Sequence, residues 1–340
     1  MIKRLLTLAT DQIYNLPIIV LMPHSRCNCR CVMCDIWKAN YNKKELLVED
    51  LAQHANAFKS LGVREIVLSG GEPLMHSNLW RLCSTLKTVN IKLTLLSTGL
   101  LLEKNAKEII QHIDNVIISV DGSQPVHDKI RNIPDGYLKL SLGIRALKKL
   151  KPELEVKARC VLQRYNFNDF VNTVRAAHDI HLDQISFLPA DISTAAFNHV
   201  EALSNERISD IALTKTEVDD FEKIIVNSFK ELKAEYDNKF IAESPEKMLK
   251  IVQYYKALNG LGNYPVPVCN APWVSAVIES NGDVMPCFFH KPYGNIHDGE
   301  FYSIINSGKA IAFRKNLDMG TDPVCKKCVC SLKLGITQMN

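Results

Sequence analysis

Four cysteines stand within eight residues near the start of the chain, which is too many thiols in one place for packing alone. Three of them, Cys27, Cys31 and Cys34, follow the spacing C-x3-C-x2-C, so three thiolates on one short loop can turn onto one metal cluster. A cubane iron–sulfur cluster with only three protein ligands keeps one iron open to a substrate or cofactor. The loop alone leaves two alternatives, a zinc knuckle and a redox pair formed by Cys31 and Cys34.

A second motif, Ser69-Gly70-Gly71-Glu72-Pro73, stands at the end of the second predicted strand. Adjacent glycines let the backbone approach a ligand closely and take a turn that other residues disfavour. Exposed backbone groups in this turn, with Glu72 beside them, can meet an ammonium group. The alternative is a plain turn between a strand and a helix.

Together the two motifs resemble the signature of the radical S-adenosylmethionine (SAM) superfamily. The resemblance implies that Cys27, Cys31 and Cys34 bind a [4Fe-4S] cluster whose open iron is chelated by SAM. Cys29 is an extra thiol to which that signature gives no role. Met33 stands where the family commonly has an aromatic residue packed on adenine, and its sulfur can contact the ring instead. The residues that would cradle the SAM amino group are Gly70, Gly71, Glu72 and Pro73.

Further polar residues are similar to segments of the peptide-maturing and sulfatase-maturating branch of that family. Ser97 ends the third predicted strand, and Ser119 and Asp121 belong to an S-x-D-G segment after the fourth. The resemblance implies that these three residues lie near the SAM ribose and that Arg131 pairs with the SAM carboxylate. We expect His127 to be a structural hydrogen-bonding residue rather than a catalytic base.

The elements that must position these motifs are predicted between residues 17 and 189. Short β-branched runs alternate there with helical patterns, which predicts a parallel sheet with right-handed crossovers. We therefore predict an α/β fold with a partial (β/α)6 barrel of the radical SAM type, used at its C-terminal rim. The predicted strands are Ile18–Met22, Glu65–Ser69, Lys92–Ser97, Asn115–Val120, Glu155–Gln163 and Gln184–Pro189, and the predicted helices are 48–61, 78–89, 102–112, 138–150 and 168–180.

Beyond Asp191 the alternation lapses. A polar loop is predicted over 191–199, followed by charged helical patterns near 216–236 and 245–258. The loop lies on the same rim as the motifs, so its polar side chains are candidates for substrate contact, although loop residues are often simply solvated. The candidates, including two from the fifth strand, are Arg159, Gln163, Asp191, Asn198 and His199.

The C-terminal part carries a second group of cysteines. Cys269 precedes a predicted strand over 273–279, and Asn281-Gly282 predicts a hairpin turn before Cys287. After a helical stretch near 301–315 the chain places three more cysteines, at positions 325, 328 and 330. Such a set can supply four thiolates to a fully ligated cubane or to a tetrahedral zinc ion.

This layout resembles the Twitch domain, the shorter form of the SPASM auxiliary-cluster domain. The resemblance implies a small β-hairpin and helix domain that binds one auxiliary [4Fe-4S] cluster. Its expected ligands are Cys269, Cys287, Cys325 and Cys328, and Cys330 is able to replace one of the closing pair.

Composition limits the class of protein and the domain organisation. The 340 residues are 46% hydrophobic and 23% charged, so the chain can bury a substantial core and is not disordered. A net charge of +4 without a long basic block does not indicate nucleic-acid binding. We identify no signal peptide or membrane span, and we expect reduced thiols in a cytoplasmic protein. The predicted divisions are an N-terminal lead (1–16), the barrel (17–190), a helical connection (191–265) and the auxiliary-cluster domain (266–340).

The resemblance implies an enzyme that receives an electron from a reductant such as flavodoxin or ferredoxin. It would cleave SAM to a 5′-deoxyadenosyl radical that abstracts hydrogen from a substrate carbon. The sixteen residues before the first strand are too few for a leader-peptide-binding domain. We therefore expect oxidation, epimerisation or elimination on a sugar, aminocyclitol or nucleoside-like small molecule. The alternatives are a peptide or protein maturase and a non-catalytic zinc-binding scaffold.

Overall fold

The computed structural model describes residues 2–198 and 203–335. Within these ranges the chain forms a single sheet of nine strands in the order β6-β5-β4-β3-β2-β1-β7-β8-β9. The strands are Ile18–Leu21 (β1), Glu65–Leu68 (β2), Lys92–Ser97 (β3), Asn115–Ser119 (β4), Glu155–Leu162 (β5), Gln184–Pro189 (β6), Ser275–Ile278 (β7), Asp283–Met285 (β8) and Gly294–Asn295 (β9).

The first six strands are parallel and stand side by side in chain order, which confirms the predicted α/β class. Their residues alternate between the two faces of the sheet, because successive side chains of a strand point in opposite directions. In β5 the residues Val156, Ala158, Cys160 and Leu162 are fully buried, and the residues between them are only partly covered. The buried face packs under the helices, and the other face is free to line a cavity.

Fifteen α-helices are found among the described residues. They are Ile2–Thr10 (α1), Val48–Ala52 (α2), Ala55–Ser60 (α3), Leu79–Lys87 (α4), Ala106–His112 (α5), Gln124–Arg131 (α6), Gly136–Leu150 (α7), Phe170–Asp179 (α8), Asn205–Ile211 (α9), Lys215–Glu231 (α10), Lys233–Asp237 (α11), Pro245–Leu258 (α12), Ala271–Val274 (α13), Phe301–Ile305 (α14) and Gly308–Asn316 (α15). In the part of the chain that is described, every helix is too short or too polar to cross a membrane.

Several predicted helices are divided. The helix predicted over 48–61 is two helices, α2 and α3, separated at Gln53 and His54. The His54 ring is buried and its Nε2 lies 2.9 Å from the carbonyl oxygen of Ile296, so the chain turns there to reach the C-terminal part. The stretch predicted over 301–315 is interrupted at Ser307, whose hydroxyl accepts a hydrogen bond from Ala310 N and starts α15. The pattern near 216–236 is likewise divided, into α10 and α11.

The C-terminal hairpin extends the sheet of the barrel. The strand predicted over 273–279 is shorter than expected: residues 271–274 form α13, and β7 begins at Ser275. Strand β7 pairs in parallel with β1 from Ile18↔Ser275 to Leu21↔Ile278, and β8 then pairs with β7 in antiparallel orientation. All four residues of β7 are buried, which requires cover on both of its faces. The auxiliary region is therefore joined to the barrel by backbone hydrogen bonds.

The N-terminal lead packs against the same C-terminal region. After α1, Asp11 accepts hydrogen bonds from Trp273 Nε1 at 2.8 Å and, through its carbonyl oxygen, from Arg314 Nε at 2.6 Å. Ile13 is paired through both backbone groups with the Asn306 side chain. These contacts connect positions about 260 to 300 residues apart in the chain, which sequence patterns do not encode.

Candidate active site

One cavity lies at the carboxyl ends of the parallel strands, where the polar residues of an α/β barrel converge. Most of the predicted site residues contribute to its wall, together with apolar side chains from four strands. The residues that line it are Cys27, Cys31, Met33, Cys34, Ile36, Ser69, Gly70, Gly71, Leu96, Ser97, Thr98, Ile117, Ile118, Ser119, Arg131, Arg159, Val161, Leu188, Pro189, Asp191, Phe197 and Val329. We call this space the strand-end cavity.

The cysteine loop presents the three thiols of the C-x3-C-x2-C motif to the strand-end cavity and turns the fourth away. Cys29 is buried in an apolar cluster, and its thiol hydrogen-bonds the Cys31 sulfur. This hydrogen bond lowers the pKa of Cys31 although burial acts in the opposite direction. Burial raises the pKa of Cys27 and of Cys34 to about 12. The extra thiol therefore contacts a thiol of the motif and does not itself line the cavity.

The residues of this loop fit an iron–sulfur cluster with one open iron. The cysteines of the motif are free thiols that face the same space. Backbone N–H groups are directed at two of the sulfurs, from Cys29 to Cys27 and from Ile36 to Cys34. Hydrogen bonds to cysteine sulfur are one of the means by which proteins stabilise and tune such clusters.

The Gly70-Gly71 turn lies directly against the cysteine loop. Gly70 has a φ of +101°, and a Cβ on it would lie 2.9 Å from Met22 Cβ. A Cβ on Gly71 would lie 2.0 Å from the carbonyl oxygen of Arg26, which no side chain can tolerate. Both glycines line the strand-end cavity, so their backbone is open to a ligand there.

Glu72 does not line the strand-end cavity in this structure. Its carboxylate is fully buried and accepts hydrogen bonds from Leu74 N, Ser97 Oγ and Thr98 N, the last at 2.7 Å. Burial raises the pKa of Glu72, and these donors act against that shift. Glu72 therefore fixes the end of β3 to the glycine turn, and it presents Ser97 and Thr98 to the cavity. Pro73, which begins a short 3-10 helix, is buried and is likewise outside the lining.

Arg131 and Asp121 form a buried ion pair beside the cysteine loop. Arg131 Nη2 lies 2.5 Å from Asp121 Oδ2, and Arg131 Nη1 donates to Cys31 Sγ at 3.5 Å. Burial disfavours the charged guanidinium, yet Asp121 and Cys31 together raise the pKa of Arg131 above its ordinary value. Asp121 is fully buried and also accepts a hydrogen bond from Val161 N, whereas Arg131 reaches the strand-end cavity. Asp121 therefore holds the arginine that faces the ligand space.

His127 lies behind this pair. Its Nδ1 accepts a hydrogen bond from Asp121 N at 3.2 Å, and burial lowers the pKa of His127 to about 3. A neutral buried imidazole that holds a backbone amide agrees with the structural role that we expect for it.

The candidate substrate residues do not all lie in the strand-end cavity. Arg159 and Asp191 line it. Gln163 is fully buried away from it, and its side-chain amide has no hydrogen-bond partner among the described residues. Asn198 lines a neighbouring cavity and donates to the carbonyl oxygen of Asp35 at 3.1 Å. His199 lies outside the described residues.

Two charged residues that the sequence motifs do not mark hold the cysteine loop from the other side. Arg207, in α9, donates to Asp35 Oδ2 at 2.7 Å and to the Val32 carbonyl oxygen at 3.2 Å. Asp35 follows the last cysteine of the motif, and its backbone N–H donates to the carbonyl oxygen of Phe197. The charged sequence of α9 could have suggested a surface helix, but it does not reveal this contact.

The C-terminal thiols also converge. Burial raises the pKa of Cys325 and of Cys328, and both thiols lie close enough to Cys287 and Cys269 for those thiolates to raise it further. Backbone N–H groups of Phe289 and His290 are directed at Cys287, and Ala271 N donates to Cys269 Sγ at 3.4 Å. The set fits one four-thiolate cluster. Cys330 is exposed and also lies near Cys287, so it stays a candidate for the closing ligand.

His290 is a residue of this second site that sequence analysis missed. Its Nε2 lies 3.4 Å from Cys325 Sγ and 3.7 Å from Asp322 Oδ1, and its ring packs edge-on against Phe313. The position of His290, three residues after Cys287, is the only sequence signal that could have indicated it.

Residues next to the C-terminal thiols also border the strand-end cavity. Val329, between Cys328 and Cys330, lines the strand-end cavity. Phe197, which also lines that cavity, packs edge-on against Phe289 at a ring-centroid distance of 6.4 Å. The C-terminal thiol segment is thus part of the wall of the cavity formed by the barrel.

Family models match both of these regions. Residues 21–182 match the radical SAM superfamily model, and residues 269–329 match the model of the SPASM iron–sulfur cluster-binding domain. The first match contains the cysteine loop and the glycine turn, and the second contains four of the five C-terminal thiols, ending just before Cys330. Both models imply iron–sulfur clusters, and the first implies SAM, so the comparisons favour iron over structural zinc.

Curated relatives match part of the chain. A protein named probable GTP 3′,8-cyclase of Methanococcus maripaludis is 31% identical over 134 residues, which are 36% of this chain and 45% of that protein. A GTP 3′,8-cyclase of Rhizobium etli is 31% identical over 167 residues, or 46% of this chain and 47% of that protein. The chain therefore spans about half the length of these curated relatives.

Solved structures share the fold over nearly the whole chain. Streptococcus suis SuiB bound to the precursor peptide SuiA matches with a TM-score of 0.66 at 15% identity, covering 96% of this chain and 73% of SuiB. The enzyme anSMEcpe with bound AdoMet matches with a TM-score of 0.63 at 19% identity, covering 87% of this chain and 82% of that one. At these sequence identities the comparison shows that the folds are similar and nothing about activity.

Proposed function

Because this chain belongs to the radical SAM superfamily and carries a SPASM domain, we propose that it cleaves SAM reductively and abstracts a hydrogen atom from a substrate carbon in the strand-end cavity. The observation that carries this proposal is the convergence of three motif cysteines, two glycines and Arg131 on one cavity.

The cluster and SAM, when bound, supply the electron transfer and the 5′-deoxyadenosyl radical that starts the reaction. Cys27, Cys31 and Cys34 would hold the cluster, and the Gly70-Gly71 backbone would receive the SAM amino group. Ser97 and Ser119 offer hydroxyls from the ends of two strands, and Met33 offers an apolar contact for adenine. The enclosing residues exclude water from the reacting atoms.

Arg131 is the residue that we assign to the SAM carboxylate. A guanidinium fixed by Asp121 presents a charged donor in a defined orientation, which strengthens a charge-assisted hydrogen bond. Its second contact, to Cys31 Sγ, keeps it beside the cluster.

For the substrate we propose a small hydroxylated molecule of the sugar, aminocyclitol or nucleoside type, which is oxidised, epimerised or eliminated. Arg159 and Asp191 supply charged and polar contacts in the lining of the cavity. The curated relatives are named for a reaction of GTP, a nucleotide. A reductant such as flavodoxin or ferredoxin would deliver the electron, and we propose the cytoplasm as the location of the protein.

Peptide or protein maturation is the second candidate. The solved structures that share this fold include SuiB with its precursor peptide and anSMEcpe with a bound peptide. A peptide substrate would have to enter between the barrel and the C-terminal thiol segment, where Val329 borders the cavity.

The test uses protein that is purified and reconstituted under anaerobic conditions. We expect about eight irons per chain, from two cubane clusters, and release of 5′-deoxyadenosine from SAM with dithionite. Cys31→Ala should abolish the release and keep about four irons, those of the auxiliary cluster. Cys83→Ala removes a buried thiol of α4 far from both sites and serves as the control that keeps iron and activity. Zinc without iron, or release that survives Cys31→Ala, contradicts the proposal.

A further inference from the structure

A second cavity adjoins the strand-end cavity. The two share Arg159, Leu188, Pro189 and Val329 as lining residues. The second cavity has a volume of about 610 Å³, which lies within the usual range of small-molecule sites. A ligand that occupies it can extend past the shared residues to the place where the substrate carbon would react.

Four cations converge on this second cavity from three separate parts of the chain. Arg159 comes from β5, Lys247 and Lys250 come from α12, and Lys333 comes from the C-terminal segment. Among the described lining residues Glu243 is the one carboxylate, so the side chains other than the thiols carry a formal charge of about +3 at neutral pH. Cys328 and Cys330 also line the cavity, and an auxiliary cluster bound there would offset part of this positive charge. We call this space the lysine cavity.

The cations of the lysine cavity are not neutralised by close partners. None of the four lies within 4.0 Å of a carboxylate oxygen among the described residues. Glu243 accepts a hydrogen bond from Phe187 N at 2.8 Å, and burial raises its pKa although the charges of Arg159 and Lys247 act in the opposite direction. Four cations around a cavity with one carboxylate near them repel one another, and a bound anion relieves that repulsion.

Helix α12 adds to the positive potential. Ser244 caps its first turn by accepting from Lys247 N, which places the N-terminal end of a 14-residue helix beside the cavity. The dipole at this end of the helix favours negative charge nearby.

Part of the lining of the lysine cavity is apolar. It contains Tyr254 and Ile251 of α12 and the segment Pro265-Val266-Pro267-Val268. Val266 is 76% exposed and Val268 is 54% exposed, which is unusual for valine without a partner. A ligand that combines a charged end with a less polar body would meet both parts of the lining.

We propose that the lysine cavity binds the phosphate groups of a phosphorylated small-molecule substrate, and thereby holds the substrate so that its reacting carbon lies in the strand-end cavity. This inference rests on the proposed function, whose substrate class it narrows. Phosphate suits the site better than a single carboxylate, since one compact group carries several charges and accepts from Lys and Arg together. Carboxylates spaced along an acidic peptide would not bring as much charge into one space.

The experiment measures binding of inorganic pyrophosphate to the reconstituted full-length protein with SAM present, by isothermal titration calorimetry. We expect saturable binding with a Kd below about 1 mM. The variant Lys247→Gln/Lys250→Gln/Lys333→Gln should weaken it by about tenfold or more, because three charges leave the cavity. The matched control, Lys107→Gln/Lys149→Gln/Lys230→Gln, removes three exposed helix lysines outside the cavity and should change the affinity less than about twofold.

Three results overturn the inference. They are the absence of pyrophosphate binding at about 10 mM, an equal loss of affinity in both triple variants, and tighter binding of hexaglutamate than of pyrophosphate. SAM cleavage by the wild-type protein is measured separately on the same preparation. Lysine-dependent pyrophosphate binding without SAM cleavage would contradict the proposed function and keep the anion site, whereas cleavage without such binding would contradict only the anion site.

Discussion

The cysteine loop around Cys31 is held by residues from distant parts of the chain, whereas the C-terminal thiols belong to one region, from Cys269 to Cys330, and lie nearer the surface. The loop is held by Arg131 from α6 and by Arg207 from α9, and the adjoining glycine turn is fixed by Glu72. Three of the five C-terminal thiols fall within Cys325–Cys330, on and after a short 3-10 helix. The first site depends on the complete barrel, and the second is organised largely by its own segment.

This difference suggests how each site should respond to loss of a contact. A buried charge that loses its partner is costly, because neither water nor protein then solvates it. A partly exposed thiol that loses its cluster can be solvated by water. The free-energy cost should therefore be limited to the C-terminal segment that carries the thiols. Substitutions at both sites test this contrast, from the largest expected effect to the smallest.

Arg131→Met should give the largest effect on folding. It leaves the Asp121 carboxylate buried without its cation, and we expect the free energy of unfolding of the cluster-free protein to fall by about 3 to 5 kcal/mol. Urea unfolding followed by circular dichroism measures the change. Arg30→Met, at an exposed arginine of the same loop, is the control and should cost less than about 0.5 kcal/mol. Similar costs for the two variants would show that the buried pair does not hold the loop.

Cys287→Ser should affect cluster content and leave the barrel intact. It removes the thiol that receives two backbone N–H groups, so we expect the iron content to fall to about four per chain. Release of 5′-deoxyadenosine in the absence of substrate should stay within about tenfold of wild type, since Cys287 does not line the strand-end cavity.

Substitutions of Cys328 and Cys330 test which of these two thiols binds the auxiliary cluster. Cys328 is partly buried and Cys330 is exposed, so we expect Cys328→Ser to lose the auxiliary irons and Cys330→Ser to keep them. Loss of iron in Cys330→Ser alone would exchange their assignments. Loss of the SAM-site cluster in Cys287→Ser would contradict the independence of the two sites.

His290→Phe should give the smallest effect. The imidazole Nε2 lies 3.4 Å from Cys325 Sγ, and a hydrogen bond to a ligating sulfur stabilises the reduced, more negative cluster. If that bond contributes about 1 kcal/mol, its loss lowers the one-electron potential of the auxiliary cluster by roughly 40 mV. Potentiometric titration monitored by electron paramagnetic resonance measures the shift. His290→Gln retains a donor and should recover part of it, and an unchanged potential in His290→Phe would exclude the contact.

Much of the barrel could be predicted because its signals are local. The strands that were predicted as Ile18–Met22 and Glu155–Gln163 are present within one residue at each end, since a short β-branched run between helical patterns leaves few alternatives. Helix ends were less predictable. The division between α2 and α3 depends on the contact of His54 with Ile296, which lies 242 residues further along the chain.

The candidate site likewise contains some residues that the sequence could predict and others that it could not. Residues that belong to a spaced motif, such as Cys31 and Gly71, were identified because the chemistry requires those residue types at that spacing. Glu72 was expected to face the ligand, but its carboxylate turns to Thr98, and only the packing of β3 against the turn decides that direction. Arg207 and His290 belong to no motif, so their roles depend on which surfaces meet.

The sequence by itself determined the family, the class of fold, the implied cofactors and the set of candidate thiols, because each depends on residue type, spacing or local periodicity. The tertiary structure decided the pairing of β7 with β1, the position of Cys29 outside the lining of the strand-end cavity, and the convergence of Arg159 with the lysines of α12 and Lys333. These features join residues that are far apart in the chain, and their contacts form only when the chain packs into one core.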